Sequence, residues 1–371
     1  MTMGLLHRLH SEGGQSPWLD NLRRGWITSG QLAAMRDRGV RGLTSNPTIF
    51  QKAIQGSADY DTQFTELVRD DASPHDAYWE LVLRDIDSAL DVFAPVYADS
   101  GGTDGFVSVE VDPSLANDAA GTLQAARSLH ERISRLNVMI KIPATQAGLP
   151  AIRTMIAEGR SVNVTLIFSL ERYGAVLEAY VAGLEDRLAG GVQNLSVTAS
   201  VGSFFISRVD TEVDRRLTEI GSDAALALRG QAAIAQARLA YQMFCDTFSG
   251  PRWNKLAAAG AQMQRPLWAS TSTKNPAYRD TLYVDELIGP HTVNTLPDAT
   301  LEAFDDHGRI SRTLDVDISQ AKNVWQAIAD IGVDHAAVAA QLEREGVSSF
   351  QKSFDELLAA LATKAADLRL S

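Results

Sequence analysis

The chain has a single cysteine, Cys245, so no intramolecular disulfide can form, and the scarcity fits a reducing compartment such as the cytoplasm. Histidine is nearly as sparse. The 7 present are scattered, with no H-x-x-x-H or Cys/His spacing, so no metal site is expected. Long apolar runs are missing too. The alanine-rich stretch 224–240 is interrupted by Arg229 and Arg238, and His7, Arg8, His10 and Glu12 stand where a secretory signal would be apolar. Cations are in deficit, with 34 Lys+Arg against 46 Asp+Glu and a net charge of −12 at pH 7. That balance argues against a nucleic-acid or anionic-membrane partner, either of which calls for a basic face. It leaves room for an anionic small molecule held by a few pocket cations. No G-x-G-x-x-G or P-loop follows any strand-like run, and no linker, repeat or low-complexity tract divides the chain.

What the sequence does have is a regular alternation of short β-branched runs with helical stretches. Strands are expected at 17–20, 40–45, 106–111, 138–142, 162–167, 195–200, 267–270 and 291–294. Helices are expected over 28–38 (Thr28 or Ser29 as N-cap), 113–135, 169–188, 207–220, 223–248 and, in several pieces around Gly332 and Gly346, 316–371. The stretch 48–98 is too long for one connection and should add helices. Eight strands, each followed by helix, are the signature of an α/β fold of the (β/α)8 TIM-barrel type with additional helices, a doubly wound sheet being the alternative. Residues 1–16, ending G-G-Q-S-P, read as a flexible leader, and 17–371 as a single catalytic domain. At 371 residues and 45% hydrophobic, the chain can bury the large core such a barrel needs.

Three of the strand runs carry polar residues where a core side chain would be expected. In V-S-V-E-V-D-P, Ser108 and Glu110 share one face and Val107, Val109 and Val111 the other. In V-M-I-K-I-P, Lys141 lies on the Met139 face. In V-N-V-T-L-I, Asn163 and Thr165 face away from Val162, Val164 and Leu166. Reactive groups of a TIM barrel sit at the carboxyl ends of its strands. A lysine is almost never fully buried unless it is paired or used. A bracing Lys141–Glu110 ion pair is one reading. The chemical one is an amine freed by desolvation to attack a carbonyl, with a carboxylate nearby to move protons. Alone, Asp20 in P-W-L-D-N reads as a turn residue or cap, and Asn46 before Pro47 as an extended turn.

The motifs G-L-T-S-N-P-T-I-F, S-V-E-V-D-P, I-K-I-P-A-T, V-N-V-T-L-I-F-S and A-S-T-S-T-K-N-P, in this order, resemble transaldolase across roughly residues 15–365. The resemblance implies a class I, Schiff-base aldol-transfer enzyme without metal or organic cofactor, acting on phosphorylated sugars as a monomer or homodimer. It implies Lys141 as the imine-forming lysine, Asp20 as acid/base at the C4 hydroxyl, and Glu110 with Thr165 as holders of a catalytic water. Asn46, Asn163 and Ser203 would contact the dihydroxyacetone unit. In S-F-F-I-S-R, similar to the family's S-P-F-V-G-R, Arg208 would clamp the phosphate and Phe205 would lie beside the water. Many members carry A-S-F-R on the seventh strand. Here A-S-T-S-T-K departs from it, and Ser270, Ser272 and Lys274 are expected to replace the missing arginine contact. The implied reaction moves a dihydroxyacetone unit from sedoheptulose 7-phosphate to glyceraldehyde 3-phosphate. The alternatives are a fructose 6-phosphate aldolase, disfavoured by Phe205 with Glu110, and a non-catalytic sugar-phosphate-binding barrel.

Overall fold

The structure, a computed structural model, describes residues 4–370. Its centre is a closed barrel of eight parallel strands in chain order: β1 (Gln15–Leu19), β2 (Leu43–Thr44), β3 (Val107–Glu110), β4 (Val138–Pro143), β5 (Val162–Ile167), β6 (Ser200–Phe205), β7 (Arg265–Ala269) and β8 (Thr292–Leu296). β1 closes the circle against β8, with Gln15 opposite Thr292 and Leu19 opposite Leu296. Helices lie between the strands, so the expected (β/α)8 TIM barrel is what the chain forms. The barrel is buried on both faces, as a parallel sheet covered by helices must be. Val107, Val109, Ile140, Ile142, Val162 and Val164 are each at most 1% exposed. Extra helices fill the stretch after β2, at Pro47–Gln55, Asp61–Arg69 and Pro74–Asp99.

Several expectations shift in detail. Residues 1–3 of the expected leader lie outside the described residues. Leu5–Ser11 is a helix whose Leu6 and Leu9 are fully buried, and β1 already begins at Gln15. The sixth strand is Ser200–Phe205, not 195–200. Gly202, which disguises it, is where a Cβ would come within 3.2 Å of the Tyr173 ring. The 28–38 stretch breaks into Arg24–Thr28 and Gln31–Asp37, because Gly30 takes the left-handed conformation (φ 80°) as the second helix's cap. Residues 113–135 likewise divide into a short turn and Ala119–Ile133, capped by Asp118. Residues 223–248 become Asp223–Ala227 and Ala232–Thr247. The Ser169 cap is as expected, its side chain accepting from Arg172 N. At the carboxyl end, Gly332 does end a helix, but Gly346 lies inside one continuous helix, His335–Leu370.

The two ends of the barrel are electrostatically distinct. At the amino ends of the strands Asp104, 1% exposed, accepts from Ser16 Oγ at 2.8 Å and Trp18 Nε1 at 3.1 Å and pairs with Arg41 (2.7 Å) and Arg265 (3.0 Å). Burial pushes its carboxyl up, but Arg265 and Arg41 more than offset this and hold it below the ordinary value. That end is plugged. The carboxyl ends are open, and the helix His335–Leu370 crosses beside them: Ser353 Oγ lies 2.7 Å from Thr48 Oγ1, and Gly346 sits against Leu166 and Arg208.

Candidate active site

A cavity of about 940 Å³ opens at the carboxyl ends of the strands. Every strand but β3 contributes to its wall, through its last residues or those just after it. Asp20 follows β1, Thr44 ends β2, Lys141 rises from β4, Thr165 from β5, Ser203 and Phe205 from β6, Ser270 and Ser272 after β7, and Thr295 from β8. Of the inward polar residues read from the alternation, Lys141 and Thr165 reach this cavity.

Lys141 is the centre of the floor. It is 5% exposed, its Nζ donates to Ser45 O at 2.9 Å, and it stands 3.2 Å from Glu110 Oε2. The register that makes this contact is direct, since Glu110 pairs with Lys141 across β3–β4 and Lys141 with Asn163 across β4–β5. Glu110 does not line the cavity but backs the lysine from behind. Burial pushes its carboxyl above the usual range, and Lys141 works in the opposite direction. Asp20 faces the cavity and is likewise pushed up by burial, against the pull of Lys141 and of Thr44 Oγ1, which donates to Asp20 Oδ1 at 2.8 Å. A buried and a half-buried carboxyl, both with raised pKa values, beside a buried lysine form the kind of cluster that carries proton-transfer chemistry.

Thr165 Oγ1 has no hydrogen-bond partner among the described residues, and Glu110 Oε2 is met there by the Lys141 ammonium alone. Buried polar atoms are normally satisfied, and exceptions concentrate at sites that meet a ligand or a water. Thr165 is aimed by an irregular stretch of β5, where the pairing with β6 shifts between Val164 and Ile167 and Leu166 adopts φ +59°. The simple alternation that put Leu166 on the Val162 face breaks at this point.

Asn46 lines the cavity while its Oδ1 accepts from Ile49 N and caps the helix Pro47–Gln55. Asn163 does not line it. It is fully buried below the floor, its Nδ2 donating to Ser108 Oγ at 3.0 Å and its Oδ1 accepting from Ser203 Oγ at 2.7 Å. Asn163, expected to contact substrate hydroxyls, thus stands behind Ser203, which does reach the wall. Arg208 enters from the first turn of the helix Ser207–Ile220, its guanidinium 5.0 Å over the Phe205 ring and 5.9 Å from that of Phe350. Stacking fixes the planar group while leaving its donors available. Ser270 (φ 57°) bonds Ser207 Oγ at 2.8 Å, and Ser272 accepts from Lys274 Nζ at 2.6 Å. Phe350 and Ser349, from the distant helix His335–Leu370, are wall residues absent from the sequence reading, as are Trp26, Lys52 and Asp298. Only Lys52 carried a signal, lying two turns into the helix opened by S-N-P.

Among the described residues no group of three or more His, Cys, Asp or Glu side chains is placed to hold a metal ion, and no helix is long and apolar enough to cross a membrane.

The family model described as Transaldolase/Fructose-6-phosphate aldolase matches residues 17–361. The chain is 50% identical over 368 residues to Transaldolase 1 of Streptomyces coelicolor, covering 99% of this chain and 96% of that one. It is 52% identical over 350 residues to a transaldolase of Parafrankia sp. (94% and 95% covered) and 49% over 351 to one of Mycobacterium bovis (94% of each). With a Lys–Glu pair at the floor of a closed parallel barrel and similarity running almost from end to end, the chain belongs to the transaldolase/fructose-6-phosphate aldolase family.

Proposed function

We propose that this protein is a transaldolase that moves a dihydroxyacetone unit from a ketose phosphate to an aldose phosphate through an imine on Lys141. The observation that carries the reading is the placement of Lys141, buried beside Glu110 and open on its other side to a cavity walled by Asp20.

In the forward direction the amine of Lys141 adds to the C2 carbonyl of sedoheptulose 7-phosphate, the Glu110 carboxyl gives a proton to the departing oxygen, and water leaves, giving a protonated imine and the Glu110 carboxylate. The Asp20 carboxylate takes the C4 hydroxyl proton as the C3–C4 bond breaks, and the bond's electrons flow into the imine to form an enamine. Erythrose 4-phosphate departs. The enamine carbon then attacks the aldehyde of glyceraldehyde 3-phosphate, protonated Asp20 returns its proton to the new hydroxyl, and water hydrolyses the imine to release fructose 6-phosphate. Thr165 Oγ1, which has no partner, and Glu110, then a carboxylate, are suited to hold and polarise that water beside the imine carbon, the carboxylate taking up the proton released. Their burial keeps the surrounding dielectric low, so each charge interaction counts for more than in solvent. Asn46 and Ser203 line the wall where the three-carbon unit would lie, and Arg208 with Ser270, Ser272 and Lys274 forms the polar end suited to the phosphate. This chemistry belongs to the non-oxidative pentose phosphate pathway, and we place the enzyme in the cytoplasm, with a single catalytic domain that takes in the helix Leu5–Ser11 and β1 from Gln15.

The test is borohydride reduction in the presence of fructose 6-phosphate, followed by mass mapping. A three-carbon or hexose adduct on the peptide containing Lys141, absent from Lys141→Ala, is the expected result. Retained binding of fructose 6-phosphate with no adduct would make the protein a sugar-phosphate-binding barrel. Release of free dihydroxyacetone without an acceptor would make it an aldolase.

A further inference from the structure

The cations on the cavity wall fall into two groups. Lys141 is paired with Glu110, Arg24 with Asp85 at 2.7 Å, and Arg23 with Asp298 at 3.3 Å. Arg208, Lys274 and Lys52 have no carboxylate within ion-pair distance among the described residues, although acidic residues outnumber basic ones in the chain. Unpaired cations gathered in one concavity mark where an anion goes.

Lys52 is delivered by the helix Pro47–Gln55, the one capped by Asn46. Thr48, Ile49, Lys52 and Ala53 line the cavity at the i, i+1, i+4, i+5 spacing of a single helix face. Lys52 is exposed, so its ammonium is hydrated and free to move. It is also close enough to Lys274 to act on it. Burial is the main reason that the Lys274 ammonium is held below its ordinary value, and Arg208 and Lys52 both add to the effect. A dianionic phosphate between them would relieve that repulsion.

We infer that Lys52 is a phosphate-binding residue of this enzyme, completing with Arg208 and Lys274 a three-cation cradle that stands in for the arginine missing from the seventh strand. The inference rests on the proposed ketose-phosphate reading of the site. Lys52 supplies a mobile point charge where the family's usual pattern has a second fixed fork. Its contribution falls on substrate capture, because the phosphate is as charged in the ground state as in the transition state.

The experiment compares the full-length parent with Lys52→Met and Lys52→Arg, using fructose 6-phosphate as donor and erythrose 4-phosphate as acceptor. Lys52→Met is expected to raise the KM for fructose 6-phosphate about tenfold or more while kcat stays within about threefold, and Lys52→Arg to restore most of the loss. Borohydride trapping of dihydroxyacetone, which carries no phosphate, should modify Lys141 equally in parent and variants. An unchanged KM in Lys52→Met overturns the inference, as does an equal loss of dihydroxyacetone trapping. If the parent itself forms no adduct, it is the imine reading that fails. Calorimetry with fructose 6-phosphate then decides Lys52 separately: a Kd about tenfold weaker in Lys52→Met upholds its role, and an equal Kd removes it.

Discussion

Glu110 and Lys141 face one another across adjacent strands with Oε2 and Nζ 3.2 Å apart, and their side chains are only 3% and 6% exposed. Such a pair, out of water, seldom stabilises a fold relative to an apolar pair of the same shape. Its retention in the floor of an open cavity therefore argues for chemistry. Glu110→Gln keeps the shape and removes the titrating group. We expect kcat for transfer to fall about a hundredfold or more, with borohydride adducts still forming on Lys141. Single-turnover kinetics alongside mass analysis checks this. Full kcat in Glu110→Gln would leave Glu110 as a brace only.

Thr44 is one of the groups that restrain the rise of the Asp20 carboxyl. Its hydroxyl donates to Asp20 Oδ1 at 2.8 Å and lies 2.6 Å from Thr295 Oγ1. Burial raises the Asp20 carboxyl, and the Thr44 bond opposes that rise by stabilising the ionised form. Thr44→Val removes the donor at nearly constant volume, so the Asp20 pKa must climb further. Because the base form is the active one, the acid limb of kcat/KM against pH is expected to move to higher pH, while Thr44→Ser leaves it in place. Superimposable profiles for parent and Thr44→Val would show that another group governs the limb.

Much of this was legible in the chain, and for a physical reason. β-branched alternation around Glu110, Lys141 and Thr165 states which side chains face inward, because a strand's period of two survives whatever surrounds it. Fold class followed from the same rhythm. The sixth strand slipped by five residues because Gly202 and the Ser203–Phe205 end look like a turn and a helix start, and it is the long-range pairing with β5 and β7, with Tyr173 close against Gly202, that makes a strand of them. The role of Asn163 as support for Ser203 depends on depth within the barrel, which alternation does not encode. Phe350 and Ser349 were hidden for another reason. They belong to a long amphipathic helix whose return over the mouth is a long-range event without local signature.

Gly346 shows how close that return is. A Cβ there would meet Leu166 Cδ2 at 2.9 Å and come within 3.5 Å of Arg208 Nη1 and 3.6 Å of Phe168 Cε2. Alanine would favour the helix by about 1 kcal/mol, and overpacking costs about 1–3 kcal/mol, so the two nearly offset. Gly346→Ala is thus expected to shift the thermal midpoint little while raising the KM for fructose 6-phosphate several-fold, because the neighbour that must move is the left-handed Leu166 next to Thr165, with Arg208 in contact beside it. Steady-state kinetics with a melting curve separates the two effects. An unchanged KM would mean that the helix moves aside without disturbing the site.

Asp210 introduces a pH dependence of stability unrelated to the chemistry. On the helix Ser207–Ile220 it is 2% exposed, accepting from Ala233 N and from Tyr283 Oη, each at 2.7 Å. Burial raises its carboxyl to about 7, and these two hydrogen bonds only partly oppose the rise. The unfolded chain would give an ordinary value of about 3.9, so between those limits the folded state binds more protons than the unfolded one. Stability must then fall as pH rises through that window and level off above about 7, a loss on the order of 4 kcal/mol for roughly three units at about 1.4 kcal/mol each. Asp210→Asn is neutral throughout. The difference between variant and parent in urea midpoint isolates this group from every other titration, and it should shift in favour of the variant from pH 5 to pH 8. A difference constant across that range would mean that Asp210 is ionised in the folded protein, its charge balanced by the Ala233 amide and the Tyr283 hydroxyl.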